Sequence, residues 1–214
     1  MKIENILPQD IERKSFEIIE SELPHPIDKK LAPIIKRVVH TTADFDYVDN
    51  LYFSKNAHER AMDAIKKGVT IITDTNMTKS GINKSALMKL GCRVECFMAD
   101  EDVAREAKNK GTTRASVAME KAAGLESETG AQIYAIGNAP TALIELHGLM
   151  EEDKVHPVLI IGVPVGFVNV VTAKEMIIES GVDCIIARGR KGGSNVAAAI
   201  VNALMYQMVN RDEL

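Results

Sequence analysis

A strand-like apolar run, a loop containing glycine or proline, and a helix-like segment recur at least four times from residue 69 onward. The runs occupy residues 69–73, 132–136, 158–161 and 184–187. Each is apolar along most of its length rather than alternating, which is typical of parallel strands that are covered on both faces. Right-handed crossovers place the intervening helices on the two faces of the sheet. We therefore predict an α/β fold with a single doubly wound, mainly parallel sheet and helices on both faces.

Amphipathic segments before the first run predict a helical N-terminal layer, with helices at 8–23, around 37–40 and at 55–67. The apolar face of the second helix leaves His40 near the opposite side. Thr41 followed by Asp44 predicts a variant capping box that begins the next helix. The chain shows no linker and no internal repeat, so we assign residues 1–214 to one domain.

The composition limits the classes of partner. A net charge of −4, no tryptophan and 4% aromatic residues argue against a nucleic-acid-binding protein. No apolar run approaches the roughly 18 residues of a membrane span, and the first residues lack the apolar core of a signal peptide. Three cysteines do not suggest a disulfide framework, which favours a reducing compartment. We expect a cytoplasmic protein that binds neither nucleic acid nor membrane.

Four unusual loops follow the predicted strands, at residues 74–81, 137–141, 162–166 and 188–194. In an open parallel sheet, ligands bind beyond the carboxyl ends of the strands, so these loops are expected at one edge. Glycine allows close approach of the backbone to a ligand. Tight turns alone explain any single glycine, but their clustering indicates a floor for a large, flat ligand.

Basic residues lie on this predicted edge. Arg188, Arg190 and a neighbouring lysine precede two glycines at a helix N-terminus, and guanidinium groups with free backbone N–H groups suit carboxylates or phosphates. Thr112 or Thr113 can cap a helix whose first turn carries Arg114. The helix dipole disfavours a cation there, so Arg114 is either an anion receptor or an ordinary surface residue.

The remaining motifs point away from several common chemistries. No spacing resembles a metal site, a nucleophile elbow, a Walker A loop or a dinucleotide fingerprint. Cys92 and Cys96 are expected to be small core residues, and His147 and His156 to be structural. His40 is either a solvated helix-end histidine or a proton donor that works near neutral pH. A proton donor with anion receptors and no nucleophile fits a rearrangement or proton transfer better than hydrolysis.

Six strings resemble the precorrin-8X methylmutase family of cobalamin biosynthesis, and the resemblance runs from about residue 8 to residue 208. In order they are Arg13-Lys-Ser-Phe16, Arg37-Val-Val-His-Thr-Thr-Ala-Asp-Phe45, Asp74-Thr-Asn-Met77, Gly137-Asn-Ala-Pro-Thr-Ala-Leu143, Gly162-Val-Pro-Val-Gly-Phe167 and Arg188-Gly-Arg-Lys-Gly-Gly-Ser194. The resemblance implies an isomerase that moves a methyl group from C-11 to C-12 of precorrin-8X or cobalt-precorrin-8, giving hydrogenobyrinic or cobyrinic acid. It also implies a homodimer with the substrate near the subunit interface and no separate cofactor, although the substrate itself can carry cobalt.

The resemblance assigns roles to particular positions. His40 matches the family's catalytic histidine, Ser15 its substrate-contacting serine and Arg114 the arginine of its Thr-Arg motif. With the loop residues, the expected substrate-binding set is Ser15, Thr112, Arg114, Asn138, Thr141, Arg188 and Arg190. A departure at Val171-Thr-Ala-Lys-Glu175, where relatives usually have Glu-Ser-Lys-Glu, leaves contacts there open.

Two other functions remain open from the sequence. A non-catalytic corrinoid carrier would bind the ring without rearranging it, whereas the enzyme would convert the precursor with a change in its visible spectrum. A nucleotide-dependent Rossmann-type enzyme would bind NAD or a nucleotide and no corrinoid. The sequence does not distinguish a cobalt-containing substrate from a metal-free one.

Overall fold

The computed structural model describes residues 6–209, which form one six-stranded sheet in the order β1-β6-β5-β4-β2-β3. The strands are β1 (Leu51–Phe53), β2 (Thr70–Thr73), β3 (Arg93–Glu95), β4 (Gln132–Ile136), β5 (Leu159–Gly162) and β6 (Cys184–Ala187). All neighbouring pairs from β2 to β6 are parallel, and β1 pairs antiparallel with β6. The predicted mainly parallel sheet is confirmed.

The helices of the described residues follow a short 3-10 turn, Pro8–Asp10. They are α1 (Ile11–Glu22), α2 (Ala32–Thr42), α3 (Tyr47–Asn50), α4 (Ala57–Lys66), α5 (Asn76–Gly81), α6 (Lys84–Lys89), α7 (Glu101–Lys110), α8 (Arg114–Gly124), α9 (Glu126–Thr129), α10 (Pro140–Glu151), α11 (Val170–Glu179) and α12 (Ser194–Tyr206). None of these helices is long and apolar enough to cross a membrane.

Two apolar clusters lie on opposite faces of the sheet. One packs α1, α2, α4, α6 and α12 against the sheet, and the other packs α7, α8, α10 and α11. Successive strand residues point to opposite faces, so Ile133 belongs to the first cluster and Tyr134 to the second, both at most 1% exposed. Both faces are therefore covered, and the predicted helical N-terminal layer is confirmed as part of one of them.

Two local predictions are wrong. The helix with His40 does not give way to a new one at Thr41, because it continues to Thr42 and ends at Ala43 in the left-handed region (φ 52°). The N–H of Ala43 donates to the carbonyl of Val39 at 2.7 Å and the Thr42 hydroxyl to that of Val38 at 2.8 Å, which closes this last turn. The segment 74–81, predicted as a loop, contains α5, whose first turn is capped by the Thr75 hydroxyl accepting from the N–H of Thr78.

The strand directions place one set of connections at one edge of the sheet, which we call the rim: residues 74–75, 137–139, 163–169 and 188–193. Leu51, the first residue of β1, pairs with Ala187, the last of β6. The end of α3 therefore reaches the rim, where the N–H of Arg188 donates to the carbonyl of Asn50 over 2.8 Å. The loop after β6 also forms ion pairs with the turn after α2, so the end of the His40 helix lies at the edge where a ligand is expected.

Candidate functional site

His40 lies near the C-terminal end of α2, and its side chain is exposed. The imidazole stacks on the ring of Phe16 from α1, with 5.3 Å between ring centroids and 14° between their planes. It borders a cleft of about 260 Å³ between α2 and α12, which is also lined by Arg37, Thr41, Gly81, Asn195, Asn202 and Tyr206. The predicted position outside the core is confirmed, and Asn195 connects the cleft to the rim because it follows the first residue of α12.

Arg37 forms the wall of the cleft next to His40. Its guanidinium lies 4.7 Å from the centre of the Phe16 ring and 5.3 Å from that of Tyr206, and it is ion-paired with Glu12. Only 16% of the Arg37 side chain is exposed. These contacts join α1, α2 and α12, so the Phe16 ring on which the imidazole stacks is itself packed against the Arg37 guanidinium.

Asp74 connects two segments of the rim through hydrogen bonds to its carboxylate. The residue is fully buried, and its carboxylate accepts backbone N–H groups of Gly137, Asn138 and Ala139 at 2.8, 2.8 and 2.7 Å. Burial raises the pKa of Asp74, while the three N–H donors act in the opposite direction. The loop after β4 is thus fixed to the end of β2, and the side chain of Asn138 is exposed above it.

The loop after β6 packs directly on its neighbours. The Thr75 and Ser194 hydroxyls are 2.8 Å apart, and a Cβ added to Gly137 would lie 2.7 Å from the Cα of Ser194. A Cβ on Gly192 would lie 2.0 Å from the carbonyl oxygen of Val163. Glycine is required at these positions because backbone meets backbone, so the rim is a fixed floor.

The two predicted arginines of this loop are exposed, and each lies over an aromatic ring. Arg188 lies 4.9 Å from the centre of the Tyr52 ring, with its Nε 3.7 Å from Glu175. Arg190 lies 5.5 Å from the ring centre of Phe167. Their exposed guanidinium groups can receive anions above the floor.

The lysine next to them behaves differently. The Lys191 ammonium contacts the carboxylates of Asp44 and Asp46, each at 2.6 Å. The positive charge of Lys191, which the sequence indicated as part of an anion receptor, is therefore paired with carboxylates of the protein itself. It joins the loop after β6 to the turn after α2.

Arg114 begins α8, and the exposed residue Thr112 precedes the cap. Thr113 is the capping residue: its hydroxyl oxygen accepts the N–H of Ser116 at 3.1 Å and lies 2.9 Å from the hydroxyl of Thr141. This contact brings the start of α8 to the start of α10. Arg114, Thr112, Asn138 and Thr141 therefore belong to one side of the rim.

Ser15 lies on α1 directly before Phe16, and its hydroxyl donates to the carbonyl of Ile11 at 2.9 Å. Its oxygen retains acceptor capacity. Ser15 therefore lies on the same helix as Phe16, the ring on which His40 stacks. The structure does not place Ser15 against the residues around Arg114.

Sequence reasoning did not assign roles to Phe16, Arg37, Asp74 or Lys174. Phe16, Arg37 and Asp74 stood within the quoted strings, but their contacts are between distant segments. Lys174 is fully buried, which its position on the apolar face of α11 could have indicated. Among the described residues there is no cluster of three or more metal-ligating side chains, and the three cysteines are buried and free.

The model for the precorrin-8X methylmutase family matches residues 10–207. The cobalt-precorrin-8 methylmutase of Leptospira interrogans is 40% identical over 214 residues, with 97% of each chain covered. That of Salmonella typhimurium is 44% identical over 207 residues, covering 94% of this chain and 96% of the relative. The precorrin-8x methyl mutase structure from Thermus thermophilus superposes with a TM-score of 0.83 at 38% identity, covering 92% of this chain and 94% of that one. The family model spans the residues of the sheet, the rim and the helix with His40, and the chain belongs to the precorrin-8X methylmutase family.

Proposed function

We propose that this enzyme moves a methyl group from C-11 to C-12 of precorrin-8X or cobalt-precorrin-8, giving hydrogenobyrinic or cobyrinic acid. Family membership and relatives named for both forms of the substrate support the reaction class. The observation that supports the role of His40 is its exposed imidazole, stacked on Phe16 beside a cleft that reaches the rim.

In this proposal His40, as imidazolium, donates a proton or a hydrogen bond to a ring nitrogen of the substrate. Electron density of the conjugated system moves toward that nitrogen, which lowers the barrier to a concerted 1,5-shift. The bond from the methyl carbon to C-11 breaks as its bond to C-12 forms, and the proton returns to His40. General acid catalysis of this kind contributes about 10²–10⁴-fold, and correct positioning of the ring supplies much of the rest.

The rim suits the shape and charge of such a substrate. A corrin precursor is a broad ring fringed with acetate and propionate groups, and the glycine-lined floor allows the backbone to approach its face. Arg188 and Arg190 on one side and Arg114 on the other are exposed cations for the carboxylates. Ser15, Thr112, Asn138 and Thr141 are proposed to add hydrogen bonds.

We further propose that the rearrangement uses no separate cofactor, because it is intramolecular, and that any cobalt belongs to the substrate. The active form is proposed to be a homodimer with the substrate near the interface. Exposed apolar side chains within the rim support an assembly there, since Phe167 is 82% and Val168 77% exposed.

The test is incubation of wild-type enzyme and His40→Ala with precorrin-8X and with its cobalt form, following each visible spectrum. We expect the variant to bind the ring and to convert it about 10²–10⁴-fold more slowly. His156→Ala is the matched control, because this exposed histidine precedes β5 at the opposite edge of the sheet and pairs with Asp153. An undiminished rate in His40→Ala would refute the role of His40. Binding without conversion by the wild type would instead identify a corrinoid carrier.

A further inference from the structure

Lys174 is the one lysine that the described part of the chain buries completely. It lies on the apolar face of α11 with Val170, Ala173 and Ile177, and its side chain is 0% exposed. Lysine is almost never fully buried unless its charge is paired. Burial lowers the pKa of Lys174 to about 8. The protein therefore keeps a lysine at this position despite the free-energy cost of removing its ammonium from water.

The partners of the buried ammonium are backbone atoms of the rim. Its Nζ donates to the carbonyl oxygen of Gly189 at 2.8 Å and to that of Lys191 at 2.9 Å. These two carbonyls flank Arg190, so the ammonium joins the backbone on both sides of that arginine. The next residue of α11, Glu175, lies 3.7 Å from the Nε of Arg188.

Core packing does not explain this lysine. An apolar side chain of similar length would fill the same space without the cost of removing an ammonium from water, and such replacements of buried ions are often stabilising. The loop after β6, by contrast, is glycine-rich and requires contacts that fix its backbone. Gly189 and Gly193 have φ angles of +75° and +143°, and glycine-rich backbone loses much conformational entropy when it is fixed.

We propose that Lys174 is a positioning residue that fixes the backbone of residues 189–191, so that Arg188 and Arg190 are preorganised to receive carboxylates of the corrin substrate. This inference rests on the proposed function and assigns a binding role to a residue that does not touch the ring. Preorganisation improves affinity by reducing the ordering that binding must impose. Loss of Lys174 should therefore act on substrate and product binding more than on the methyl shift.

The experiment compares Lys174→Met with wild-type enzyme, measuring kcat, KM and the Kd of cobyrinic acid by absorbance titration. We expect KM and Kd to rise about tenfold or more, the loss expected from misplaced charge-assisted contacts, while kcat changes less than about threefold. Lys174→Arg, which keeps the donors, should recover part of the affinity. Lys66→Met on α4 is the control for removing a lysine charge, because it is exposed and on another helix.

A mutant cycle in a background that carries both Arg188→Ala and Arg190→Ala separates positioning from a general structural effect. If Lys174 acts through the two arginines, Lys174→Met should cost much less affinity in that background than in the wild type. Additive losses, or unchanged KM and Kd in Lys174→Met, would overturn the inference. Lys174→Gln is the second variant if Lys174→Met does not fold, and failure of both to fold would show a folding role instead. A wild type that binds no corrinoid would refute the proposed function itself.

Discussion

His40 is exposed to solvent, yet its ring is not free to take any orientation. Phe16 stacks on one face of the imidazole, and Arg37 packs on Phe16 from the same helix that carries His40. A proton donor must point at its acceptor within hydrogen-bond distance, so control of the ring plane matters as much as its presence. The sequence predicts that His40 leaves the core, because helical spacing determines that. It does not predict the stack, which depends on how α1 crosses α2.

We expect Phe16→Leu to lower kcat about tenfold with little change in the Kd of the product, because the imidazole loses the surface that sets its plane. Phe16→Tyr, which keeps the ring, should restore most of the rate. NMR of the His40 ring protons provides an independent readout, since the aromatic neighbour shifts their resonances. Ile18→Ala, also on α1 and exposed, is the control. An unchanged kcat and unchanged His40 resonances in Phe16→Leu would show that the stack has no such role.

Lys191 and Lys174, the two lysines that contact the arginine loop or belong to it, differ in how far the sequence predicted their contacts. Lys191 resembles an anion receptor in sequence, but the carboxylates it contacts lie 147 and 145 positions earlier. Such a long-range partner leaves no local signal. Lys174 does have a local signal in the sequence. A lysine at an apolar position of a helical pattern indicates either a buried lysine or a wrongly predicted helix face.

Helix ends were predictable where one residue type determines the backbone. Gly91 and Gly111 have φ angles of +63° and +65° just after α6 and α7, as expected of glycine beyond a helix. The start of α8 is also as predicted, with Thr113 rather than Thr112 as the cap. The end of α2 was missed because Ala43, a residue without such a preference, occupies the left-handed position.

The end of α2 gives a prediction about stability. Ala43 has φ 52°, where a residue with a Cβ is strained and glycine is not. We expect Ala43→Gly to stabilise the protein by about 0.5 kcal/mol, the relief of strain less the greater entropy of glycine in the unfolded chain. The free energy of unfolding in urea measures this. Ala104→Gly, inside α7, is the opposite control and should destabilise by about 1 kcal/mol. Equal losses in both variants would contradict the interpretation.

The parallel strands β2, β4, β5 and β6 were identified from their apolar runs, and the edge at which their loops meet followed from strand direction. The order of the strands was not predictable, because pairing partners are set by packing between distant segments. The antiparallel strand β1 was missed since Leu51–Phe53 is too short to form a pattern. We still propose one domain, since both apolar clusters share the same sheet.

The close contact between the loops after β5 and β6 predicts how the addition of one methyl group at Gly192 affects stability and binding. A Cβ on Gly192 would lie 2.0 Å from the carbonyl oxygen of Val163 and 2.9 Å from that of Pro164, and both are backbone atoms. We expect Gly192→Ala to destabilise the protein by about 2 kcal/mol or more and to weaken corrin binding, because the two loops must separate. Urea denaturation and absorbance titration measure the two effects.

Gly124→Ala is the control for this substitution, since nothing lies within 4 Å of its added Cβ and the residue ends α8. It should be neutral or slightly stabilising. If Gly192→Ala behaves like Gly124→Ala, the two loops are not in fixed contact.

Lys191 joins the loop after β6 to the turn that follows the helix of His40, so it sets the spacing between the proposed proton donor and the anion receptors. Hydrogen bonds to Asp44 and Asp46 raise the pKa of Lys191, and the same pairing lowers the pKa of Asp44. Lys191 and Asp44 therefore stay charged across the neutral range, so a change of pH within that range leaves this contact unaltered. Ionic strength, which screens exposed charges, does weaken the contact, and salt is therefore expected to change the spacing of the site.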